Sequence, residues 1–88
     1  MLRISASQAA GGTVTLQLDG RITGEWAKLL KGMCEARLKE NAHVILDMKN
    51  VSFVDRDGFV LLRGLADRGV EILNVLPFIA EEIGKANP

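Results

Sequence analysis

The chain has 88 residues, which is enough for one small domain and too little for two hydrophobic cores. Hydrophobic residues make up 48% of the chain, which excludes a disordered protein. Its 11 basic residues balance 11 acidic ones. Because the net charge is zero, nucleic-acid binding through bulk positive charge is excluded and self-association is favoured. Cys34 is the sole cysteine, so neither an intrachain disulfide nor a cysteine-based zinc site can form.

No segment of the sequence indicates export or membrane insertion. The first ten residues lack the apolar core of a signal peptide, and the longest purely apolar run is residues 59–62. We therefore expect a cytoplasmic protein that forms a single domain over residues 1–88.

Two alternating segments flank the pair Gly11-Gly12. Their hydrophobic residues are Leu2, Ile4 and Ala6 before the glycines and Val14, Leu16 and Leu18 after them. A period of two predicts a β-strand on each side, and the glycines predict a hairpin turn between them. Asp19-Gly20 is predicted to close the second strand.

A helical period follows from Thr23 to Glu40, with Thr23 as the predicted N-cap and Asn41 as the stop. Its predicted buried face consists of Trp26, Leu29, Leu30, Met33 and Ala36, with Cys34 and Leu38 at the margin. We expect Trp26 to lie in the core; the alternative is an anchor in an interface.

The second half of the chain alternates between strands and helices. The apolar run Val44-Ile45-Leu46 predicts a strand buried on both faces, and Asn50 predicts a turn after it. A helix is predicted over residues 57–67, a strand over residues 70–75, and a last helix from Pro77 to Ile83. The order β-β-α-β-α-β-α, with strands separated by helices, predicts a small layered α/β fold with about four strands.

Residues 44–62 place acidic residues and a glycine where a strand meets a helix N-terminus. In open α/β sheets, ligands and partners dock at the carboxyl ends of strands, and a helix N-terminus attracts anions. The segment LDMKNVSFVD at residues 46–55, followed after two residues by Gly58 and a hydrophobic residue, resembles the centre of a STAS domain. The resemblance extends over residues 2–83, and the family includes sulphate-transporter tails and anti-sigma factor antagonists.

The resemblance implies a non-catalytic protein-binding module. In the antagonists, an aspartate and two serines precede the glycine, and an ATP-binding anti-sigma kinase phosphorylates the second serine, which weakens the complex. Here Arg56 and Asp57 occupy the two serine positions, so a serine-phosphorylation switch at this site is impossible. Asp57 is therefore the equivalent of the phosphoacceptor.

Two interpretations of Asp57 remain open. Asp55, Arg56 and Asp57 together carry a net charge of −1, as an unmodified aspartate-serine-serine motif does. A phosphoserine would add a charge of about −1.5 to −2. Asp57 either places a carboxylate where the phosphate would be or only caps the helix, a role worth roughly 1 kcal/mol.

The predicted docking surface comprises the loop and first helical turn at this motif together with the neighbouring loop. Its members are Asp55, Arg56, Asp57, Gly58 and Phe59, with Gly20, Arg21 and Thr23. We expect Phe59 to be an exposed hydrophobic anchor and Arg56 a charged one. The expected partner is an anti-sigma factor or related ATP-binding kinase; the alternatives are the ATPase of an ABC lipid transporter and a multi-protein signalling scaffold.

Family domains usually continue past the element at residues 77–83, whereas this chain has few residues left. We expect the shortened end to expose apolar surface, which would favour a homodimer or a permanent partner.

The same aspartates allow one enzymatic alternative, a haloacid-dehalogenase-type phosphatase. Under that hypothesis, Asp55 is the nucleophile that attacks phosphate, Asp57 is the general acid/base, and Mg²⁺ bridges the two carboxylates. It is disfavoured because only 30 residues follow Gly58 and their one lysine, Lys85, lies near the end of the chain. We therefore expect no catalytic residues, no metal site and no cofactor.

Overall fold

A computed structural model describes residues 1–86 of the chain. The strands are β1 (Leu2–Ala9), β2 (Thr13–Ile22), β3 (His43–Val54) and β4 (Glu71–Leu73), and the helices are α1 (Gly24–Lys39), α2 (Arg56–Asp67) and α3 (Pro77–Lys85). The predicted order β-β-α-β-α-β-α and the α/β class are confirmed. The predicted domain of residues 1–88 reaches two residues beyond those described.

The four strands form one sheet in the order β1-β2-β3-β4. β1 pairs antiparallel with β2, and the hairpin between them turns at Gly11 and Gly12, whose φ values of 82° and 78° favour glycine. β2 pairs in parallel with β3, and β3 with β4. Helix α1 connects β2 to β3, and helix α2 connects β3 to β4. Both crossovers run in the same direction across the sheet, so their right-handedness places both helices on the same face.

The hydrophobic core therefore lies on one face of the sheet. Its fully buried side chains are Leu16, Leu18, Ile22, Leu30, Leu46, Leu62, Leu65, Val44 and Cys34. The prediction that Val44-Ile45-Leu46 is buried on both faces was wrong, because Ile45 lies on the opposite face, where no helix covers it, and is half-buried. Ile45 is apolar like its neighbours, so the run has the composition of a strand buried on both faces although helices cover only one face of this sheet.

Strands β2 and β3 are both longer than predicted. Asp19 and Gly20 do not close β2, which continues to Ile22, and Asn50 is not a turn but lies within β3. The register between the two strands shifts twice, and each time one extra residue enters β3. These β-bulges interrupt the alternation of buried and exposed side chains, so the part of β3 after Asn50 shows no regular strand period in the sequence.

Strand β4 is shorter than the predicted residues 70–75 because Asn74 adopts a φ of 58° immediately after it. The Asn74 side chain donates a hydrogen bond of 3.0 Å to Asp47, which lies within β3 and pairs with Leu73. Pro77 opens α3 as predicted, and the helix continues past Ile83 to Lys85.

Helix α1 buries a narrower face than predicted. Ala27, Leu30 and Cys34 are buried, whereas Trp26 and Leu29 keep 37% and 48% of their surface exposed. The expectation that Trp26 belongs to the core was wrong, because a helix on the surface of a sheet buries one stripe of its circumference and Trp26 lies beside that stripe. None of the helices in residues 1–86 is long and apolar enough to cross a membrane.

Candidate functional site

The carboxylate of Asp55 connects the N-termini of two helices. Asp55 is the N-cap of α2, and its Oδ1 accepts a hydrogen bond of 2.7 Å from the backbone N–H of Gly58. Its Oδ2 accepts one of 3.0 Å from the N–H of Gly24, the first residue of α1. Both donors are among the N–H groups that a helix leaves without an intrahelical partner, and both helix dipoles favour a negative charge here.

Gly58 is required by the close approach of α2 to the sheet. A Cβ atom at this position would lie 2.7 Å from Cγ1 of Val54 and 2.8 Å from the carbonyl oxygen of Ile22. Because that oxygen also accepts the hydrogen bond from the N–H of Asp55, it cannot move away freely. The first turn of α2 is therefore held against the ends of β2 and β3.

Arg56 and Asp57 follow the cap as the first two residues of α2, and both are exposed. Neither side chain forms a hydrogen bond or an ion pair with another residue of the described range 1–86. The interpretation of Asp57 as the helix cap was wrong, because Asp55 fills that position and accepts the capping hydrogen bond. Asp57 contributes only its charge to the first turn.

The two exposed residues lie beside different grooves. Arg56 lines a groove of about 240 Å³ between α2 and α3, together with Phe59 and Lys85. Asp57 lines a groove of about 310 Å³ between α1 and α2. Arg56 and Asp57 thus present opposite charges on the two flanks of one helix, an arrangement suited to contact a protein surface.

Phe59 is not the exposed anchor that was expected, because it is half-buried and packs against the core. The aromatic residue that is exposed beside this motif is Phe53, near the end of β3, with 45% of its surface accessible. The guanidinium of Arg21 lies over its ring at 4.7 Å from the centroid, within the range of a cation–π interaction. The structure therefore brings Arg21 beside the motif and adds Phe53 to this surface.

The loop that was predicted at residues 20–23 is the end of β2 followed by the N-cap of α1, and contacts with Met1 and β3 hold it in place. Gly20 has a φ of 116°, and a Cβ atom there would collide with the carbonyl oxygen of Met1. The Ser52 hydroxyl, at the second bulge of β3, donates a hydrogen bond of 3.1 Å to the carbonyl of Gly20. Thr23 occupies the predicted N-cap position of α1 without a side-chain capping bond, since Asp55 supplies the acceptor instead.

The sequence did not identify Phe53 or Ser52 as part of this surface. Strict alternation would place Ser52 and Phe53 on opposite faces of β3, whereas the bulge between Val51 and Phe53 exposes both. Within residues 1–86, no three histidine, cysteine or acidic side chains come together as candidate metal ligands.

A family model for the STAS domain matches residues 5–72. The chain belongs to the STAS family. Domains with this fold are generally regulatory and non-catalytic. A search of curated proteins finds no match.

The fold of this STAS domain is similar to solved structures of anti-sigma factor antagonists. It is similar to SpoIIAA in its unphosphorylated form, with a TM-score of 0.75, 19% identity and coverage of 98% of this chain and 84% of that one. It is also similar to the Bacillus cell fate determinant SpoIIAA in the phosphorylated form, with a TM-score of 0.73, 19% identity and coverage of 97% and 84%. A protein of the DUF3478 family from Shewanella loihica, described as having a SpoIIAA-like fold, gives a TM-score of 0.61 at 12% identity, with coverage of 88% and 69%.

Proposed function

We propose that this STAS domain is a non-catalytic, protein-binding regulatory module that acts in the cytoplasm like an anti-sigma factor antagonist. Its docking surface comprises the first turn of α2 together with the end of β2 and the N-cap of α1. The members of this docking surface are Gly20, Arg21, Thr23, Asp55, Arg56, Asp57, Gly58 and Phe59, with Phe53 added. The partner is an anti-sigma factor or a related ATP-binding kinase.

The observation that carries the proposal is the contrast between Asp55 and the two residues after it. Asp55 has both carboxylate oxygens engaged and fixes the position of the turn. Arg56 and Asp57 then stand exposed on a rigid element, so little backbone entropy is lost when a partner binds them. Charged residues without internal partners at a rigid helix start are suited to recognition.

Asp57 stands in place of the phosphoacceptor serine, so the domain is not switched by serine phosphorylation at this position. The fixed carboxylate carries less charge than a phosphoserine and has fewer acceptor oxygens. We infer that the protein binds its partner constitutively, with an affinity that the Asp57 charge reduces by a modest factor. One unit charge at about 4 Å from a partner group contributes ~1 kcal/mol in a water-exposed contact, which is roughly fivefold in affinity.

The test is a calorimetric titration with an anti-sigma kinase purified from the same organism. We expect Asp57→Ser to strengthen binding several-fold and Arg56→Glu to weaken it, with little change in melting temperature for either variant. Lys39→Glu is the control, since it reverses an exposed charge at the far end of α1. Equal dissociation constants for all four proteins would show that the first turn of α2 is not the docking surface.

A further inference from the structure

The groove between α1 and α2, which Asp57 lines at one end, has an apolar floor that is open to solvent. The floor consists of Ala27 and Leu65, which are buried, and Leu61, which is half-buried. Gly64 also lines the groove, and an added Cβ atom there would meet no atom within 4 Å, so the space above the floor is unfilled. Small-molecule sites in proteins have volumes of about 300 to 1,000 Å³ and mainly apolar walls. At about 310 Å³, this groove has the size and the lining of a site for a small ligand.

Two positive charges at the rim of the groove have no counter-charge. Lys28 and Lys31 are three residues apart on α1, so they lie on the same flank of the helix, and both are exposed. Neither forms an ion pair or a side-chain hydrogen bond, with Asp57 or with any other residue in the part of the chain that the structure describes. Glu35, further along that flank, is paired at 3.2 Å with Arg68 instead, which neutralises the far end of the groove. The middle of the groove therefore presents two ammonium groups above an apolar floor.

The charges and the apolar floor together specify the chemistry of an occupant. An anionic head can pair with both lysines, whereas a cation is repelled and a neutral head leaves the two ammonium groups without a counter-charge. An apolar body removes the floor from water, which favours binding. A helix with its side chains is about 10 to 12 Å across, so it is too wide to enter a groove of about 310 Å³ between two packed helices.

We propose that the α1–α2 groove binds an amphipathic monocarboxylate of the medium-chain fatty acid class. The carboxylate lies between the ammonium groups of Lys28 and Lys31, and the alkyl chain lies along the floor. The lysine side chains cover the alkyl chain with their own methylene groups while their charged ends stay in water. The groove extends along α2 from Asp57 to Arg68, about 16 Å, which leaves room for the chain. This site does not depend on the proposed function, because neither lysine belongs to the docking surface.

The open geometry of the groove sets the expected affinity. A methylene group that becomes fully buried strengthens binding about fourfold, and one that stays half-exposed strengthens it about twofold. Octanoate, with about ten non-hydrogen atoms, is expected to bind with a dissociation constant of about 0.1 to 1 mM at an ordinary ligand efficiency. Hexanoate is two methylene groups shorter and is expected to bind about fourfold more weakly.

The test is an NMR titration of the ¹⁵N-labelled domain with three ligands of one chain length, namely octanoate, octan-1-ol and octylammonium. We expect saturable shifts from octanoate at residues 27–31 and 57–68, weaker binding of octan-1-ol, and at least tenfold weaker binding of octylammonium. Hexanoate tests the contribution of the floor. A synthetic amphipathic helix that carries glutamates is titrated in parallel and is expected to cause no saturable shift at these residues.

Substitutions separate the rim of the groove from its floor. Lys31→Glu is expected to weaken octanoate binding at least tenfold, and its combination with Lys28→Glu is expected to make octylammonium the preferred ligand. Lys39→Glu is the control, since it makes the same change in net charge at the far end of α1, outside the groove, and is expected to leave the affinity within twofold. Gly64→Leu fills the space above the floor and is expected to weaken binding at least tenfold. Gly32→Leu adds the same side chain to α1 outside the groove, where there is open space, and is expected to have no effect.

Three results would overturn the proposal. The first is the absence of a saturable shift at ten times the expected dissociation constant of octanoate. The second is equal affinity for octanoate and octylammonium, or an octanoate affinity that Lys31→Glu does not change, since either would show adsorption to apolar surface without recognition of charge. The third is a saturable shift at the groove from the acidic helix and none from octanoate, which would assign the groove to a protein partner.

Discussion

Replacing Asp55 by alanine tests the role of its carboxylate most directly. The substitution removes the acceptors for the N–H groups of Gly58 and Gly24, which stand 2.7 Å and 3.0 Å from the two oxygens. Loss of an N-cap side chain costs about 1 kcal/mol, and loss of the hydrogen bond at α1 costs a similar amount. We therefore expect Asp55→Ala to lower the free energy of unfolding by about 2 kcal/mol.

The assay is urea unfolding followed by circular dichroism, together with a thermal scan. For a domain of this size, each kcal/mol lowers the melting temperature by about 4 to 8 °C, so the expected decrease is about 8 to 16 °C. Asp55→Asn keeps one acceptor oxygen and should lose about half as much. The control is Asp57→Ala, which removes a charge from the same turn without breaking a hydrogen bond and should cost about 0.5 kcal/mol. Equal losses for Asp55→Ala and Asp57→Ala would refute the assignment of the cap.

Three further predictions concern packing and ionisation. Gly58→Ala should destabilise the fold by about 1 to 3 kcal/mol in urea unfolding because its Cβ would overlap neighbouring atoms, whereas Gly64→Ala, with open space around it, should be neutral or stabilising. Burial raises the pKa of the Cys34 thiol to about 11, so a thiol reagent at pH 8 should label the folded protein at least 100-fold more slowly than the unfolded one; comparable rates would show an accessible thiol. Hydrogen bonds from Asn74 and from the N–H of Lys49 lower the pKa of Asp47, so Asn74→Ala should raise that pKa in an NMR titration. A carboxyl group whose pKa is lowered in the folded state stabilises the fold at pH values above its unfolded pKa, near 3.9, and this stabilisation is lost as the pH falls through the folded pKa. An unchanged pKa of Asp47 in Asn74→Ala would contradict this contact.

The order of elements could be predicted because the hydrophobic period changes cleanly from two to 3.6 along the chain. The hairpin followed from Gly11-Gly12, because glycine permits the positive φ values of the turn, and the start of α3 followed from Pro77, because proline fixes φ near its helical value. The bulges of β3 could not be predicted, because an extra residue in a strand is defined by its pairing with β2 and not by its own sequence.

The internal geometry of the candidate site could not be predicted from the sequence in detail. Asp55 and Asp57 are both acceptable at a helix start, and only the backbone conformation decides that Asp55 is the cap. Its second hydrogen bond, to Gly24, joins residues 31 positions apart and has no local signature. The same limit applies to Phe59 and Phe53, because the sequence shows two aromatic residues near the turn but not which one packs against the core.

Chemical-shift mapping tests the central claim, that the first turn of α2 forms the docking surface together with the end of β2 and the N-cap of α1. The ¹⁵N-labelled domain would be titrated with the unlabelled anti-sigma kinase of the same organism. The account predicts shifts and line broadening concentrated at residues 20–23 and 53–59, with weaker effects in the Arg56→Glu variant. Perturbations concentrated on the uncovered face of the sheet or at the Gly11-Gly12 hairpin, with residues 53–59 unchanged, would contradict it.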